Sequence, residues 1–156
     1  MKRFALHGVV LLLLCSGTAL AQSITVSGTQ TISAITTATP GSEPDPVTTA
    51  AGSTTYNVIT GNVKNAIWKI SARLTTALPA GLTLALQLTP NGQAGSGTSA
   101  GMVTLSTVDQ AVITSLQNAK TFNTNKIQYR LSASSAAGQT AAHTCTGCVT
   151  FTVTQQ

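Results

Sequence analysis

Apolar and polar residues alternate with a period of two along most of this chain, which is the pattern of half-buried β-strands. The longest alternating runs cover residues 66–74, 82–88, 126–133 and 149–153. Shorter runs lie at residues 23–35, 55–60 and 102–106, and residues 109–116 fit either a strand or a single helical turn. Signals for longer helices are nearly absent, so we expect strands to make up most of the regular structure.

Glycine, proline and asparagine separate these runs. Residues 39–46 are rich in proline, residues 78–81 predict a turn, and residues 90–101 contain four glycines that predict a flexible loop. Short alternating strands between such turns are typical of an antiparallel sandwich rather than of an α/β fold. We therefore predict an all-β chain, an antiparallel immunoglobulin-like β-sandwich of about 7–8 strands.

The apolar positions of the longest runs predict one shared interior, because alternate side chains of a strand point to the same face of its sheet. Trp68 is the largest of these side chains, and we interpret it as a packing residue rather than as a platform for a sugar ring. The predicted core residues are Trp68, Ile70, Leu84, Leu86, Tyr129, Leu131, Phe151 and Val153.

Residues 1–21 have the features of a secretory signal peptide. Lys2 and Arg3 form its basic start, residues 9–14 its apolar run, and the last three residues, Ala-Leu-Ala, its cleavage site. The mature chain then begins at Gln22 and is exported, through the periplasm in transit and then to the cell surface or the extracellular medium.

The mature chain divides into three parts. Residues 22–37 form an N-terminal strand, residues 38–53 a Pro/Gly-rich connection, and residues 54–156 the body of the sandwich. The connection is longer than most loops within a compact domain, so residues 22–37 are either the first strand of this domain or a strand that pairs elsewhere.

Cys145 and Cys148 are spaced C-x-x-C, and in an exported chain such a pair predicts a disulfide. A thioredoxin-like redox motif needs a helix start that lowers the thiol pKa, whereas Cys148 leads directly into the strand-like run 149–153. A zinc site with His143 would lack a fourth ligand unless a carboxylate supplied it. The carboxylates of the mature chain are Glu43, Asp45 and Asp109. We predict a structural disulfide and neither a metal nor a cofactor.

Composition narrows the function classes further. Only 7% of the residues are charged and 4% are aromatic, and the formal net charge is +5. The basic residues of the mature chain are scattered, which predicts solvated strand faces rather than a nucleic-acid site. No later apolar run approaches the length of about 18 residues that a membrane span needs.

The sequence also lacks a recognisable catalytic motif. With one histidine and three carboxylates after the signal, and neither a G-x-S-x-G elbow nor a phosphate-binding glycine loop, the chain is predicted not to be an enzyme.

Four segments of the mature chain resemble bacterial fimbrial or pilus subunits of the chaperone–usher type, and the small secreted immunoglobulin-like proteins near them. The segments are KISA at 69–72, LPAGLTL at 78–84, GMVTLST at 101–107 and IQYRLSA at 127–133. The resemblance implies a non-enzymatic structural protein of the bacterial surface. It also implies self-assembly or assembly with other pilus subunits, with a periplasmic chaperone and an usher as partners.

In that family, an N-terminal extension of one subunit completes the sandwich of the next by strand addition, in which main-chain hydrogen bonds give strength and alternate side chains fill pockets. Residues 22–37 have the form of such an extension, with Ile24, Val26 and Ile32 as its alternating apolar residues. The alternative is a monomeric secreted module for binding or adhesion, with its site on the loop 90–101.

Overall fold

The structure is a computed structural model, and it describes residues 22–28, 35, 42–118, 120–134 and 148–156. The described residues form ten strands and no helix. The strands are β1 (Ser23–Ser27), β2 (Val47–Thr48), β3 (Thr54–Ile59), β4 (Ile67–Leu74), β5 (Leu82–Thr89), β6 (Ser96–Ser99), β7 (Val103–Thr104), β8 (Gln110–Gln117), β9 (Thr121–Ala133) and β10 (Val149–Gln155).

The strands form two antiparallel sheets. The large sheet has the order β1-β3-β9-β5-β7, with β2 also paired to β9, and the small sheet has the order β10-β4-β8-β6. From β4 to β10, each strand lies in the other sheet from the strand before it. Strands that are neighbours in a sheet are never consecutive along the described chain.

The core lies between the inner faces of the two sheets. Its largest fully buried side chains include Tyr56, Phe122, Ile70, Leu86 and Ile113. Strand β5 shows how the alternation builds it, because Leu84, Leu86 and Leu88 are buried while Thr83 and Thr89 are exposed. The predicted all-β sandwich is thus confirmed.

The predicted core residues fall into two groups. Trp68, Ile70, Leu84, Leu86 and Tyr129 are buried. Leu131, Phe151 and Val153 are half-buried, and the latter two pack against the core from the edge strand β10. An edge strand has a neighbour on one side only, so its inward side chains keep part of their surface in water.

The described residues form ten strands, more than the predicted 7–8. The additional strands are short or polar, so their sequences lack a clear alternating pattern. Strand β2 lies within the predicted connection 38–53, and β6 lies within the predicted flexible loop 90–101. Residues 109–116 belong to strand β8 rather than to a helical turn, apart from Asp109 just before it.

Strand β9 starts at Thr121, earlier than the run 126–133 suggests. Its polar first half carries the buried Asn125, whose side-chain amide donates hydrogen bonds to the carbonyl oxygens of Tyr56 at 3.1 Å and Phe122 at 3.0 Å. Its side-chain oxygen accepts a hydrogen bond from the backbone N–H of Asn91 at 3.0 Å. A buried polar residue with these partners is stable in a core, but it breaks the apolar alternation by which a strand is recognised.

Candidate functional site

The N-terminal strand β1 lies at one edge of the large sheet, where it pairs with β3 of the same chain. The register runs from Ser23 opposite Ile59 to Ser27 opposite Thr55. Within the described part of the chain, no strand pairs with the other side of β1. In this arrangement the first part of the predicted N-terminal strand is the first strand of its own sheet.

Two apolar side chains of β1, those of Ile24 and Val26, share one face of the strand. Ile24 lies opposite Val58 and packs against the core cluster, whereas Val26 lies opposite Tyr56 and remains 39% exposed. Full burial of a side chain of this size contributes about 1.5–3 kcal/mol, so β1 gains only part of what two buried residues would supply. Ile32, the third predicted exchange residue, lies outside the described residues.

Strand β3, which lies beside β1 in the large sheet, has the properties of an edge that accepts an added strand. Tyr56 and Val58 are buried while β1 is in place, and no residue of β3 is charged. Removing β1 would uncover these two apolar residues together with a row of backbone hydrogen-bonding groups. Such an edge is a template for another strand.

A glycine marks the end of β1. Gly28 has a φ of +97°, and a Cβ atom at this position would lie 2.9 Å from the backbone oxygen of Ser53, just before β3 begins. Glycine is required here both for the positive φ and for the close approach of the two backbones. Strand β1 therefore ends at Ser27.

The loop predicted as the alternative binding site is held by hydrogen bonds. The side-chain amide of Asn91 donates to the carbonyl oxygen of Asn123 at 2.8 Å, and Nζ of Lys120 donates to the carbonyl oxygen of Ala94 at 3.2 Å. Gly97 has a φ of +86°, and a Cβ atom there would lie 2.6 Å from Ile113, so β6 packs tightly onto β8.

Beside this loop lies a shallow depression of about 490 Å³. It is lined by Gln93, Ala94, Lys120, Thr121 and Phe122. It offers amide, hydroxyl and ammonium groups at its rim but no carboxylate among these lining residues, so it is suited to a neutral or anionic polar group rather than to acid–base chemistry.

The basic residues that lie on described strands are divided between the two sheets. Lys69 and Arg73 lie on β4 of the small sheet, and Lys126 and Arg130 lie on β9 of the large sheet. Arg73 forms an ion pair with Asp109 at 3.8 Å, in which both side chains are about half exposed. An exposed pair of this kind contributes about 0–1 kcal/mol.

The predicted disulfide and the residues considered as possible metal ligands lie partly outside the described residues. Among those that are described, no group of three or more histidines, cysteines or carboxylates comes together, and Glu43 and Asp45 are both exposed. Cys148 is half-buried just before β10, and its carbonyl oxygen accepts a hydrogen bond from the backbone N–H of Thr75 at 2.8 Å. Cys145, His143 and the signal segment 1–21 lie outside the described residues, so the pairing of Cys145 with Cys148 stays a prediction.

Comparison with known proteins adds no relative: no family model, no curated protein and no solved structure matches this chain. The part of the chain that the structure describes contains no helix long and apolar enough to cross a membrane.

Proposed function

We propose that this chain is a non-enzymatic, exported structural protein, a fimbrial or pilus-like subunit that assembles by strand addition at the bacterial cell surface. The observation that carries the proposal is the position of β1. It is a short, uncharged edge strand with one paired neighbour, and it covers the apolar residues Tyr56 and Val58 of β3.

In the proposed assembly, β1 of one subunit leaves its own β3 and pairs with β3 of the next. Ile24 and Val26 then occupy the same positions over Val58 and Tyr56, and the ladder of main-chain hydrogen bonds is restored. Because the strand pairing between subunits reproduces the pairing within each subunit, the exchange is close to balanced in free energy. Head-to-tail repetition of the exchange gives an open filament.

The β3 edge also gives a periplasmic chaperone a role in the proposed assembly. An unpaired β3 edge would be prone to aggregation during export, and a periplasmic chaperone that adds its own strand there would protect it. Genes for a chaperone and an usher beside the gene for this chain would support this version over spontaneous assembly.

The test uses the mature chain with Ile24→Asp, which places a charge over the apolar acceptor residue Val58 and disables the chain's own β1. We expect this variant to lose self-assembly but to bind a synthetic peptide of residues 22–37, measured by calorimetry and by electron microscopy of the assemblies.

The matched control is Thr25→Asp on the same strand. Thr25 is exposed and lies between Ile24 and Val26, so its side chain is on the opposite face of the strand from theirs. This variant should assemble like the unmodified chain. An unmodified chain that stays monomeric at every concentration, together with an Ile24→Asp variant that does not bind the peptide, would contradict strand addition.

The alternative function, a monomeric binding or adhesion module, is favoured by one observation. The depression beside residues 90–101 is bordered by a loop that hydrogen bonds hold in place, as a preformed site requires. Binding of a polar glycan that Lys120→Ala abolishes, in a chain that remains monomeric, would support this function instead.

A further inference from the structure

The strands at the ends of the two sheets differ in how well they are protected against pairing. Strand β7 has two residues, and β6 has four residues and contains Gly97 with its positive φ. Strand β10 has seven residues, Val149–Gln155, and pairs with β4 in an unbroken register. It contains no charged residue and no proline, which are the usual means of protecting an edge.

The free side of β10 is open in the described part of the chain. Strand β1 comes close to β10, but it belongs to the other sheet and does not pair with it. The inward-facing residues Val149, Phe151 and Val153 are only half-buried. A strand added here would satisfy the backbone groups of β10 and cover the remaining apolar surface of these three side chains.

We infer that β10 binds β10 of a second copy of this chain, antiparallel about a two-fold axis through Thr152, so that the two small sheets become one continuous sheet. This register pairs all seven residues. It sets Phe151 opposite Val153 and Thr150 opposite Thr154 of the other copy, while Thr152 meets Thr152. Aromatic–β-branched and Thr–Thr pairs are among the cross-strand pairs that stabilise antiparallel sheets.

Charge does not oppose this pairing. The nearest cations are Lys69 and Arg73, which lie on β4 opposite Thr154 and Thr150. In the paired sheet, Arg73 of one copy and Lys69 of the other are separated by three strand spacings, about 14 Å. This separation exceeds the Debye length of about 8 Å at physiological salt. We therefore expect pairing of the unmodified chain to depend only weakly on salt at that ionic strength and above.

The small surface area that this contact would bury predicts a weak affinity between the two copies. One pair of seven-residue edge strands buries less than the total of about 1,600 Å² that is typical of a stable interface. The dimer should therefore be weak and visible only at high protein concentration. The contact is isologous and closes at two copies, so it does not by itself extend a filament. It uses a different strand from the proposed β1 exchange, so either interaction can fail without the other.

The experiment measures sedimentation of the mature chain over a range of concentrations. We expect a monomer–dimer equilibrium in which Thr152→Lys raises the dissociation constant at least about tenfold, because two lysines meet at the two-fold axis. Thr152→Glu should do the same. An equimolar mixture of the two variants should restore dimers, which are then favoured by low salt.

Thr83→Lys is the matched control, because Thr83 is exposed and lies on the other sheet, away from β10. It should dimerise like the unmodified chain. Thermal unfolding of each variant checks that it is folded. Hydrogen exchange of the unmodified chain provides a second measurement, since amides of residues 149–155 should gain protection as concentration rises. A chain that is monomeric at all concentrations, dimers unaffected by Thr152→Lys, or a mixture that does not recover would each overturn the inference.

Discussion

Leu84 and Thr83 are neighbours in β5 whose side chains face opposite sides of the large sheet. Leu84 is buried opposite Leu131, and Thr83 is exposed opposite Ser132. Leu84→Ala should lower the free energy of unfolding by about 2–5 kcal/mol, because it leaves a cavity in the core. Thr83→Ala should change it by about 0.5 kcal/mol or less. Denaturant titration of both variants measures the difference, and equal effects would mean that the register of β5 is wrong by one residue.

Burial of two tyrosines predicts how stability responds to alkaline pH. Desolvation raises the pKa of Tyr56 and the pKa of Tyr129 above the ordinary value of 10.0. Well below that value both side chains are protonated in the folded and unfolded states, so they contribute no dependence on pH. Above it the unfolded chain loses protons that the folded chain keeps, so stability falls as pH rises.

The measurement is the unfolding midpoint of the chain between neutral pH and pH values above 10.0. Tyr129→Phe should reduce the loss of stability at high pH, because one of the titrating groups is removed. A midpoint that falls equally steeply in the unmodified and variant chains would show that other groups cause the alkaline loss.

Strands in which apolar and polar residues alternate regularly can be predicted from the sequence, whereas strands without this alternation cannot. The alternation in β4, β5 and the second half of β9 identifies both the strand and its buried face. The first half of β9 was missed because Asn125 occupies a buried position with a polar side chain. Strand β2 has two residues, too few for a periodic pattern to show.

The candidate site was predictable in part for the same reason. Alternation marks Ile24 and Val26 as residues of one face, but it does not reveal that β3 is their partner, because that pairing depends on residues about thirty positions away. Similarly, the residues of β10 alternate like those of a central strand. The order of strands in the small sheet shows that β10 lies at its end, with β4 as its paired neighbour. The structure also shows that Phe151 and Val153 are half-buried.

At the scale of the whole molecule, the order of the strands has a consequence for folding. Paired strands are separated along the chain by at least one other strand, so no described pair is a simple hairpin. Long-range pairing must overcome the entropy of closing large loops before contacts compensate for it, and sandwiches of this kind fold in about milliseconds to seconds. Because β10 pairs with β4, the core is completed only when β10 is available.

We therefore expect a fragment of residues 22–134, which lacks β10, to remain unfolded. Without β10, Ile70, Ala72 and Leu74 of β4 lose the strand beside them and the half-buried row that covers them. Circular dichroism and hydrogen exchange of the fragment test this, with a chain of residues 22–156 carrying Thr83→Ala as a folded control. In stopped-flow refolding, the unmodified chain of residues 22–156 should show a cooperative main phase on the scale of about milliseconds or longer. A fragment with native-like exchange protection, or refolding within microseconds, would contradict this dependence on β10.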